Sequence, residues 1–418
     1  MSIIKNSIVY SLGSIVLKGA GFLLMPFYLR IFSTEEYGVL DLGISLAWLL
    51  GALLSMGIPQ MIFVNYVHLI KRERTKLLLN FTKAYLALSI IMGFIYFVFS
   101  LIPSISQMFS TEIKISIFLL SFLSFFQQVY FNFLKIKNKA FKLALIQTLL
   151  GLLMITINVI FVFVFNFGII VLFLSQVVTL TISLFLFGVF LKKELKREHL
   201  NIFKDNNFLG SVKKYIPESI VLLGGQISYF LQNQLDKWMV LFFLSISSVG
   251  VYSVATKISA LFTLVITLSV ISAYTPQLLN RYKVGDVKEV ESYSRKRSYM
   301  VIVIGLIFTS LCWLLLKTAF LRFVGEDYER AFEPAMILLF GQFLLLALQM
   351  RGVFLLYKKK FKTQTLGLTL SLTLNICLNV LLVPRYSIIG AALATSIAYV
   401  FSFLFIEYHC LKSLKTDY

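Results

Sequence analysis

Twelve long apolar segments joined by short polar loops constrain this chain more than any other feature of its sequence. An α-helix needs about 20 consecutive apolar residues to cross the hydrocarbon core of a bilayer. The chain is 59% hydrophobic and only 14% charged, whereas soluble domains are about 45–50% apolar and about 25% charged. We therefore predict an all-α integral membrane protein with twelve transmembrane helices, at residues 5–32, 39–67, 79–103, 113–135, 141–165, 169–191, 215–244, 250–279, 299–321, 332–357, 365–383 and 388–411.

Lysine and arginine are distributed unevenly between the two ends of these segments. Of the 39 in the chain, 28 lie in the terminal tails and in the loops after segments 2, 4, 6, 8 and 10, and six lie in the other loops. Cytoplasmic loops of membrane proteins carry an excess of these residues. The pattern predicts a multi-pass protein of the bacterial inner membrane with both termini in the cytoplasm. It also argues against nucleic acid as a partner, because the net charge of +20 comes in short clusters between apolar runs.

The loops are too short to hold a catalytic domain, since the longest of them spans residues 192–214. The three cysteines, Cys312, Cys377 and Cys410, lie within apolar runs, and no cysteine or histidine spacing indicates a zinc site. The sequence also lacks the phosphate-binding pattern GxxxxGK(S/T). We therefore expect no catalytic residues, no metal and no cofactor, which means that the protein is not an enzyme.

The two halves of the sequence share an ordered set of matching positions. The matches are Gly38 with Gly250, Pro59 with Pro276, and Asn158 with Asn379. Each half holds six segments, so both halves start on the same side of the membrane and the repeat is parallel, as in one class of transporters. We predict an N-terminal six-helix lobe at residues 1–192, a cytoplasmic inter-lobe loop at 193–214 and a C-terminal six-helix lobe at 215–418.

Charged side chains inside the apolar segments are candidates for a transport cavity. A charge at the centre of a bilayer costs about 2.5–3.5 kcal/mol on insertion scales, so it faces a cavity or a partner. Ser14 and Lys18 share one face of the first segment, and Lys18 lies about 20 Å along a helix that starts near Lys5. Small residues on this face also suit close helix packing, so the face lines either a cavity or a helix contact.

A second polar stripe lies on the seventh segment. It carries Tyr229, Gln232 and Asp236, with Lys237 beside it. Asp236 and Lys237 either line a cavity or form a local pair of interfacial charges.

Two further cations, Lys257 and Arg351, either line a cavity or extend to the membrane surface. The intramembrane charges therefore favour cations, which indicates an anionic substrate such as a phosphate. The candidate sites for a coupled ion are the carboxyl groups of Asp236, Glu218 and Asp41.

Three stretches of the chain resemble a known family. Phe32-Ser-Thr-Glu-Glu-Tyr-Gly38 resembles the (L/F)-x-x-x-(E/D)-(Y/F)-G element that follows helix 1 of polysaccharide flippases. Asp236-Lys237, residues 249–253 and Lys257 resemble the family's helix 7–8 region, and residues 375–394 resemble its helix 11–12 region. Their order along nearly the whole chain resembles Wzx-type O-antigen flippases of the multidrug/oligosaccharidyl-lipid/polysaccharide (MOP) exporter superfamily.

This resemblance implies two parallel six-helix lobes in a V-shaped, MATE-like arrangement with a cationic cavity. It implies that the substrate is an undecaprenyl-pyrophosphate-linked oligosaccharide, moved from the cytoplasmic to the periplasmic leaflet by alternating access. Related lipid II flippases carry basic residues on helices 1 and 8, which Lys18 and Lys257 match as lysines. Membrane lipid is a further expected partner, as are a polysaccharide polymerase and a chain-length regulator.

Two other functions compete with this interpretation. A cation-coupled multidrug exporter of the same superfamily would carry a deep carboxylate in its cavity. A membrane enzyme, such as a polymerase or an acyltransferase, would show a large outer loop or a histidine in the middle of the membrane. The sequence favours the flippase over both, because few acids lie deep in the segments and all three histidines are peripheral.

Overall fold

The computed structural model describes residues 21, 24–66, 69–137, 139–197, 213–284, 287–358 and 360–415. This part of the chain contains no strand, which confirms the predicted all-α class. It also contains a π-helix (Val159–Val164) and a 3-10 helix (Glu326–Ala331). The α-helices within the described residues are α1 (Met25–Ile31), α2 (Thr34–Ser55), α3 (Ile58–Tyr66), α4 (Lys71–Ser100), α5 (Pro103–Met108), α6 (Thr111–Ile136), α7 (Ala140–Asn158), α8 (Ile170–Arg197), α9 (Ile216–Phe243), α10 (Ile246–Val284), α11 (Val287–Leu315), α12 (Lys317–Val324), α13 (Phe332–Tyr357) and α14 (Phe361–Lys415).

Eight helices of the described chain are long and apolar enough to cross a membrane. Helices suit this environment because a segment in hydrocarbon must satisfy its backbone hydrogen bonds internally. The last of the eight, in α14, contains both of the final two predicted segments. α9 and α10 cover the seventh and eighth predicted segments.

The chain divides into two compact units, one containing residues 39–231 and the other containing residues 26–38 with 232–415. The division falls inside α9, after Leu231. The predicted inter-lobe loop at 193–214 lies mostly outside the described residues. The proposed lobe boundaries therefore stay a prediction.

The core of the first unit is built on aromatic side chains from α4 and α6. The Tyr85 ring stacks on Phe125 with 3.7 Å between the ring centroids, and its hydroxyl donates to the backbone carbonyl of Phe122 at 2.7 Å. On the other face of α4, Ile90 and Phe94 are exposed. An apolar exposed face is expected of a helix that contacts lipid, whereas the buried hydroxyl of Tyr85 needs the partner it has.

The second predicted segment is interrupted between α2 and α3. Met56 and Gly57 both have positive φ angles, of 44° and 72°, and Pro59 follows at the start of α3. A Cβ atom on Gly57 would lie 2.6 Å from the carbonyl oxygen of Ser219 in α9. Glycine is therefore required both by the backbone conformation and by the close approach of α9.

In the second unit, α13 packs against α10, α11 and α14. α14 consists of two arms that reverse direction around Ser387, which has φ 54° and ψ −141°. A Cβ atom on Gly390 would collide with the carbonyl oxygen of Leu382, so the reversal is tight. The two arms face each other, and the Ser371 hydroxyl donates to the carbonyl of Ala398 at 2.8 Å.

The matched glycines of the internal repeat contact each other's segments within the second unit. A Cβ atom on Gly38 would collide with the carbonyl of Ile246, and one on Gly250 would collide with the carbonyl of Thr34. Gly38 and Gly250 are 212 residues apart in the sequence, and so are Thr34 and Ile246. The starts of α2 and α10 therefore contact each other around a local two-fold axis. Each helix presents the equivalent surface to the other, as in an isologous contact.

Candidate functional site

The carboxylate of Asp236 lies at the centre of a polar cluster in the second unit. The Tyr252 hydroxyl of α10 donates to its Oδ2 at 3.2 Å, and Asn379 Nδ2 of α14 donates to its Oδ1 at 2.9 Å. The Thr395 hydroxyl, on the second arm of α14, also donates to Oδ2. Three side chains from two neighbouring helices thus donate hydrogen bonds to this carboxylate.

The reversal in α14 brings the cluster together. Asn375 and Asn379 lie four residues apart on one face of the first arm, and the reversal places Thr395 opposite them. Asn375 Nδ2 donates to Thr395 Oγ1 at 3.2 Å, and Asn379 Nδ2 also reaches Asn375 Oδ1 at 3.2 Å. Ala391 and Ala394 are fully buried, and their small side chains let the second arm pack closely.

The cluster is rich in oxygen atoms. Asp236, Thr395, Asn375 and Asn379 all contribute side-chain oxygens, and the Asn379 Oδ1 atom is buried without a hydrogen-bond partner. Carboxylate, amide and hydroxyl oxygens suit a proton or a hard cation. Among the described residues, no group of three or more His, Cys, Asp or Glu side chains forms a metal site of the usual kind.

Lys257, which also belongs to the second unit, lies beside aromatic side chains. Its Nζ atom donates to the Tyr37 hydroxyl at 3.1 Å and lies 4.4 Å from the centroid of the Tyr37 ring. Tyr37 contacts Tyr328 edge to face at 6.1 Å, and the Tyr328 hydroxyl donates to the carbonyl of Phe32 at 3.1 Å. Both tyrosines are almost fully buried. The start of α2 and the 3-10 helix thus form the environment of Lys257.

Arg351 is fully buried between two carboxylates. Its Nη2 atom donates to Glu291 Oε1 at 2.8 Å, and its Nε atom lies 2.5 Å from Glu407 Oε2. The predicted excess of cations within the membrane therefore does not extend to this residue, because two acids accompany its charge. A contact between Arg351 and substrate stays a prediction, and the structure pairs its guanidinium with Glu291 and Glu407.

The remaining predicted residues lie at several places. Lys237 is buried on α9, Gln232 is exposed on the same helix, and only the backbone of Tyr229 is described. Ser14 and Lys18 lie outside the described residues.

Two further candidates for ion coupling belong to the first unit. Asp41 is buried on α2. Both carboxylate oxygens of Glu218 accept from Asn65 Nδ2 at 2.9 Å. Glu218 therefore has a hydrogen-bond partner within the first unit.

Sequence reasoning did not single out Tyr37, Tyr252, Thr395, Glu291 and Glu407. The sequence did point to Glu407, because this residue is an acid within the last apolar segment, yet it was not counted among the deep acids. Tyr252 gave no signal beyond its place in a family-like stretch, and Thr395, which directly follows residues 375–394, gave none, because tyrosine and threonine are ordinary residues in apolar helices.

The comparisons with known proteins agree with this architecture. A family model described as polysaccharide biosynthesis protein matches residues 3–281, and the MatE model matches residues 222–381. A search of curated protein sequences finds no match.

Similar folds occur among solved structures. The structure titled lipid II flippase MurJ, inward closed conformation, has a TM-score of 0.71 at 17% identity, with 96% of this chain and 87% of that chain covered. An inward-facing multidrug resistance MATE family transporter of the MOP superfamily has a TM-score of 0.66 at 16% identity, covering 100% and 97%. A MOP superfamily transporter from Pyrococcus furiosus has a TM-score of 0.57 at 15% identity, covering 98% and 95%. These likenesses confirm the predicted MATE-like fold.

Proposed function

Because the chain belongs to the polysaccharide biosynthesis protein family, within the MOP transporter superfamily, we propose that it is a Wzx-type flippase of lipid-linked oligosaccharides. It moves undecaprenyl-pyrophosphate-linked O-antigen, or similar polysaccharide repeat units, from the cytoplasmic to the periplasmic leaflet. The families that match are transporter families and not enzyme families, as the sequence predicted. The family match over residues 3–281 is the observation that carries this proposal, and the likeness to a lipid II flippase supports it.

The proposed location is the bacterial inner membrane, with both termini in the cytoplasm. The 28 lysines and arginines of the tails and even-numbered loops, against six in the other loops, support this orientation. A polysaccharide polymerase and a chain-length regulator are the proposed partners, because they act on the product of such a flippase.

The transport problem is energetic. A head group rich in hydroxyls loses its hydrogen bonds to water in hydrocarbon, at several kcal/mol for each unpaired group. A polar path through the protein replaces these bonds, while the lipid tail stays in the bilayer. A membrane potential that is negative inside favours outward movement of an anion by about 2.3 kcal/mol per charge for each 100 mV.

Lys18 and Lys257 are the proposed contacts of the pyrophosphate. The ammonium of Lys257 contacts both the hydroxyl and the ring of Tyr37. An ammonium stabilised by a ring is able to exchange that contact for an anionic oxygen, which pairs with it more strongly. Exposed Gln232 is a proposed contact for sugar hydroxyls, with Tyr229 and Ser14 as further candidates and Lys237 close by on α9.

Asp236 is the proposed site of ion coupling. Its carboxylate is half-buried among neutral hydrogen-bond donors from Tyr252, Asn379 and Thr395. A carboxylate in such a place is costly as a bare anion, and either protonation or a bound cation removes this cost. Binding and release of that ion would change the charge of the cluster, and this change provides a way to couple an ion gradient to transport.

The test is complementation in the native host after deletion of the gene. Display of the surface polysaccharide is measured for the wild type, for Lys257→Met and for Asp236→Asn, with membrane protein levels quantified by immunoblotting. Exposed Asp327→Asn serves as the matched control for removal of a carboxylate. Loss of display with Lys257→Met and with Asp236→Asn, but not with the control, is expected. Normal display without the gene would refute the flippase assignment.

A cation-coupled multidrug exporter of the same superfamily is the second candidate. Two observations favour it: the MatE model matches residues 222–381, and Asp236 provides the deep carboxylate that such an exporter needs. Resistance to cationic drugs in an efflux-deficient host separates the candidates, since a flippase confers none.

A further inference from the structure

Arg351 and two carboxylates form a buried charge cluster in the second unit. Arg351 lies on α13, Glu291 on α11 and Glu407 on the second arm of α14. The Arg351 side chain has no exposed surface, and the side chains of Glu291 and Glu407 are only 2% and 7% exposed. Arg351 Nη1 also donates to the backbone carbonyl of Glu291 at 3.4 Å. One guanidinium therefore joins three helices.

The cluster is electrically balanced by a fourth residue. Arg295, one helical turn after Glu291, lies 3.9 Å from the Glu291 carboxylate and is 43% exposed. Two arginines thus face two glutamates, in a chain of charges that runs from the surface to the interior. Removing Arg351 alone would leave Glu407 without its arginine and Glu291 with only the more distant Arg295, which is far more costly than removing all the buried charges together.

Neutral contacts around the cluster bring in a fourth helix. The Tyr274 hydroxyl of α10 lies 2.8 Å from Ser294 Oγ and 3.3 Å from the carbonyl oxygen of Met350. The Cys410 thiol lies 3.9 Å from the carbonyl of Arg351. The backbone on both sides of Arg351 is therefore fixed as well as its side chain.

The first unit has a similar pair in an equivalent place. Lys137 follows the C-terminus of α6, and its Nζ atom lies 2.5 Å from Glu194 Oε1 of α8. The ammonium also lies 5.4 and 5.0 Å from the ring centroids of Phe133 and Phe190. This pair joins the fourth and sixth predicted segments of the first half, as Arg351 and Glu407 join those of the second half. Its side chains are 28% and 14% exposed, so it is the less buried of the two.

We propose that these two pairs are charge clasps, which hold the fourth and sixth membrane segments of each half together at their basic-loop ends throughout the transport cycle. In this assignment Arg351 is a structural residue and does not contact substrate. Glu291 extends the second clasp to α11. The movements of transport then occur elsewhere in each half, because breaking a buried clasp would expose unpaired charges to an apolar surrounding.

The first experiment compares partial with complete removal of the buried clasp. Thermal unfolding of the purified protein in detergent is measured for Arg351→Gln, for the triple variant Glu291→Gln/Arg351→Met/Glu407→Gln, and for Lys137→Gln as the exposed counterpart. We expect Arg351→Gln to lower the Tm most, the triple variant to recover most of that loss, and Lys137→Gln to change the Tm little. A Tm of Arg351→Gln equal to that of the wild type would overturn the proposal.

Transport by the triple variant then separates a clasp from a substrate contact. If the clasp is structural, the folded triple variant supports polysaccharide display at the level of the wild type. Display that is lost while the Tm is recovered would place the charge of Arg351 on the transport path instead. The display measurement rests on the proposed function, whereas the unfolding measurement does not. A failure of the flippase assignment is therefore recognised separately, because the wild-type gene would then support no display.

The second experiment asks whether a clasp opens during transport. The variant Lys137→Cys/Glu194→Cys is made with the native Cys312, Cys377 and Cys410 replaced by alanine, and the two new thiols are joined by a short bifunctional reagent in proteoliposomes. We expect the cross-linked protein to transport lipid-linked oligosaccharide at the rate of the same variant before cross-linking. A loss of transport that appears only when both thiols are joined, and not in either single-cysteine variant, would show that these helices separate and would refute the clasp.

Discussion

The contact between the starts of α2 and α10 makes a sharp prediction about the two matched glycines. A methyl group added at Gly250 would collide with the backbone carbonyl of Thr34, and one added at Gly38 would collide with the carbonyl of Ile246. A backbone carbonyl in a helix cannot rotate away as a side chain does. The helices must therefore move apart to accept either alanine.

The expected magnitude follows from two opposing effects. In a helix, alanine is more favourable than glycine by about 1 kcal/mol. Overpacking of a tight contact costs about 1–3 kcal/mol, and immobile backbone atoms place this contact at the upper end. We expect Gly250→Ala to lower the free energy of unfolding by about 1–2 kcal/mol. The matched control is Gly188→Ala in α8, where an added Cβ meets nothing within 4 Å; it should raise stability by up to about 1 kcal/mol.

The assay is thermal unfolding of the purified variants in the same detergent, read by intrinsic fluorescence. Because Gly38→Ala displaces the same pair of helices, the double variant Gly38→Ala/Gly250→Ala should lose less than the sum of the two single losses. A Gly250→Ala protein as stable as the Gly188→Ala control would refute the close backbone contact. Fully additive losses would refute the shared two-fold geometry while leaving the individual contacts in place.

Further predictions concern single contacts. Thr395→Val removes a hydroxyl that donates to the Asp236 carboxylate; since hydrogen bonds to charged groups contribute about 1.5–3 kcal/mol, the concentration of coupling ion for half-maximal transport should change by about tenfold or more, measured in proteoliposomes. Tyr85→Phe keeps the ring stack but removes the bond to Phe122, and should cost about 1 kcal/mol of stability in thermal unfolding; an unchanged Tm would contradict this bond. Asn65→Ala leaves Glu218 without its donor, and should lower the Tm more than Asn65→Asp combined with Glu218→Gln, a pair that restores a hydrogen bond with the donor reversed.

Much of the fold follows from local patterns in the sequence. The apolar segments predict helices because hydrocarbon leaves the backbone no other partner. The prolines at positions 26 and 59 predict kinks within the first two segments, and the structure begins α1 and α3 at these places. The pairing of Gly38 with Gly250 was visible as a repeat, although the sequence did not show that the two positions touch.

The candidate site was predictable only in part. Asp236 was identified as a charge within an apolar segment, and Asn375 and Asn379 lie in the stretch that resembles the helix 11–12 region of the family. The partnership of these residues with Thr395 depends on the reversal at Ser387, since the two arms of α14 approach each other only after the chain turns back. Arg351 shows the opposite case, because its charge suggested a cavity and its neighbours Glu291 and Glu407 lie 60 and 56 positions away in the chain.

The sequence by itself determined that this chain is a helical membrane protein of a transporter family, because hydropathy, loop charge and ordered motifs are properties of consecutive residues. Only the tertiary structure decided which buried charges are partnered. The cost of a charge in an apolar surrounding depends on the groups within a few ångströms of it, and those groups come from helices that are distant in sequence. For this reason Asp236 is a candidate ion site and Arg351 is the centre of a clasp, although in the sequence both are single charges within apolar segments.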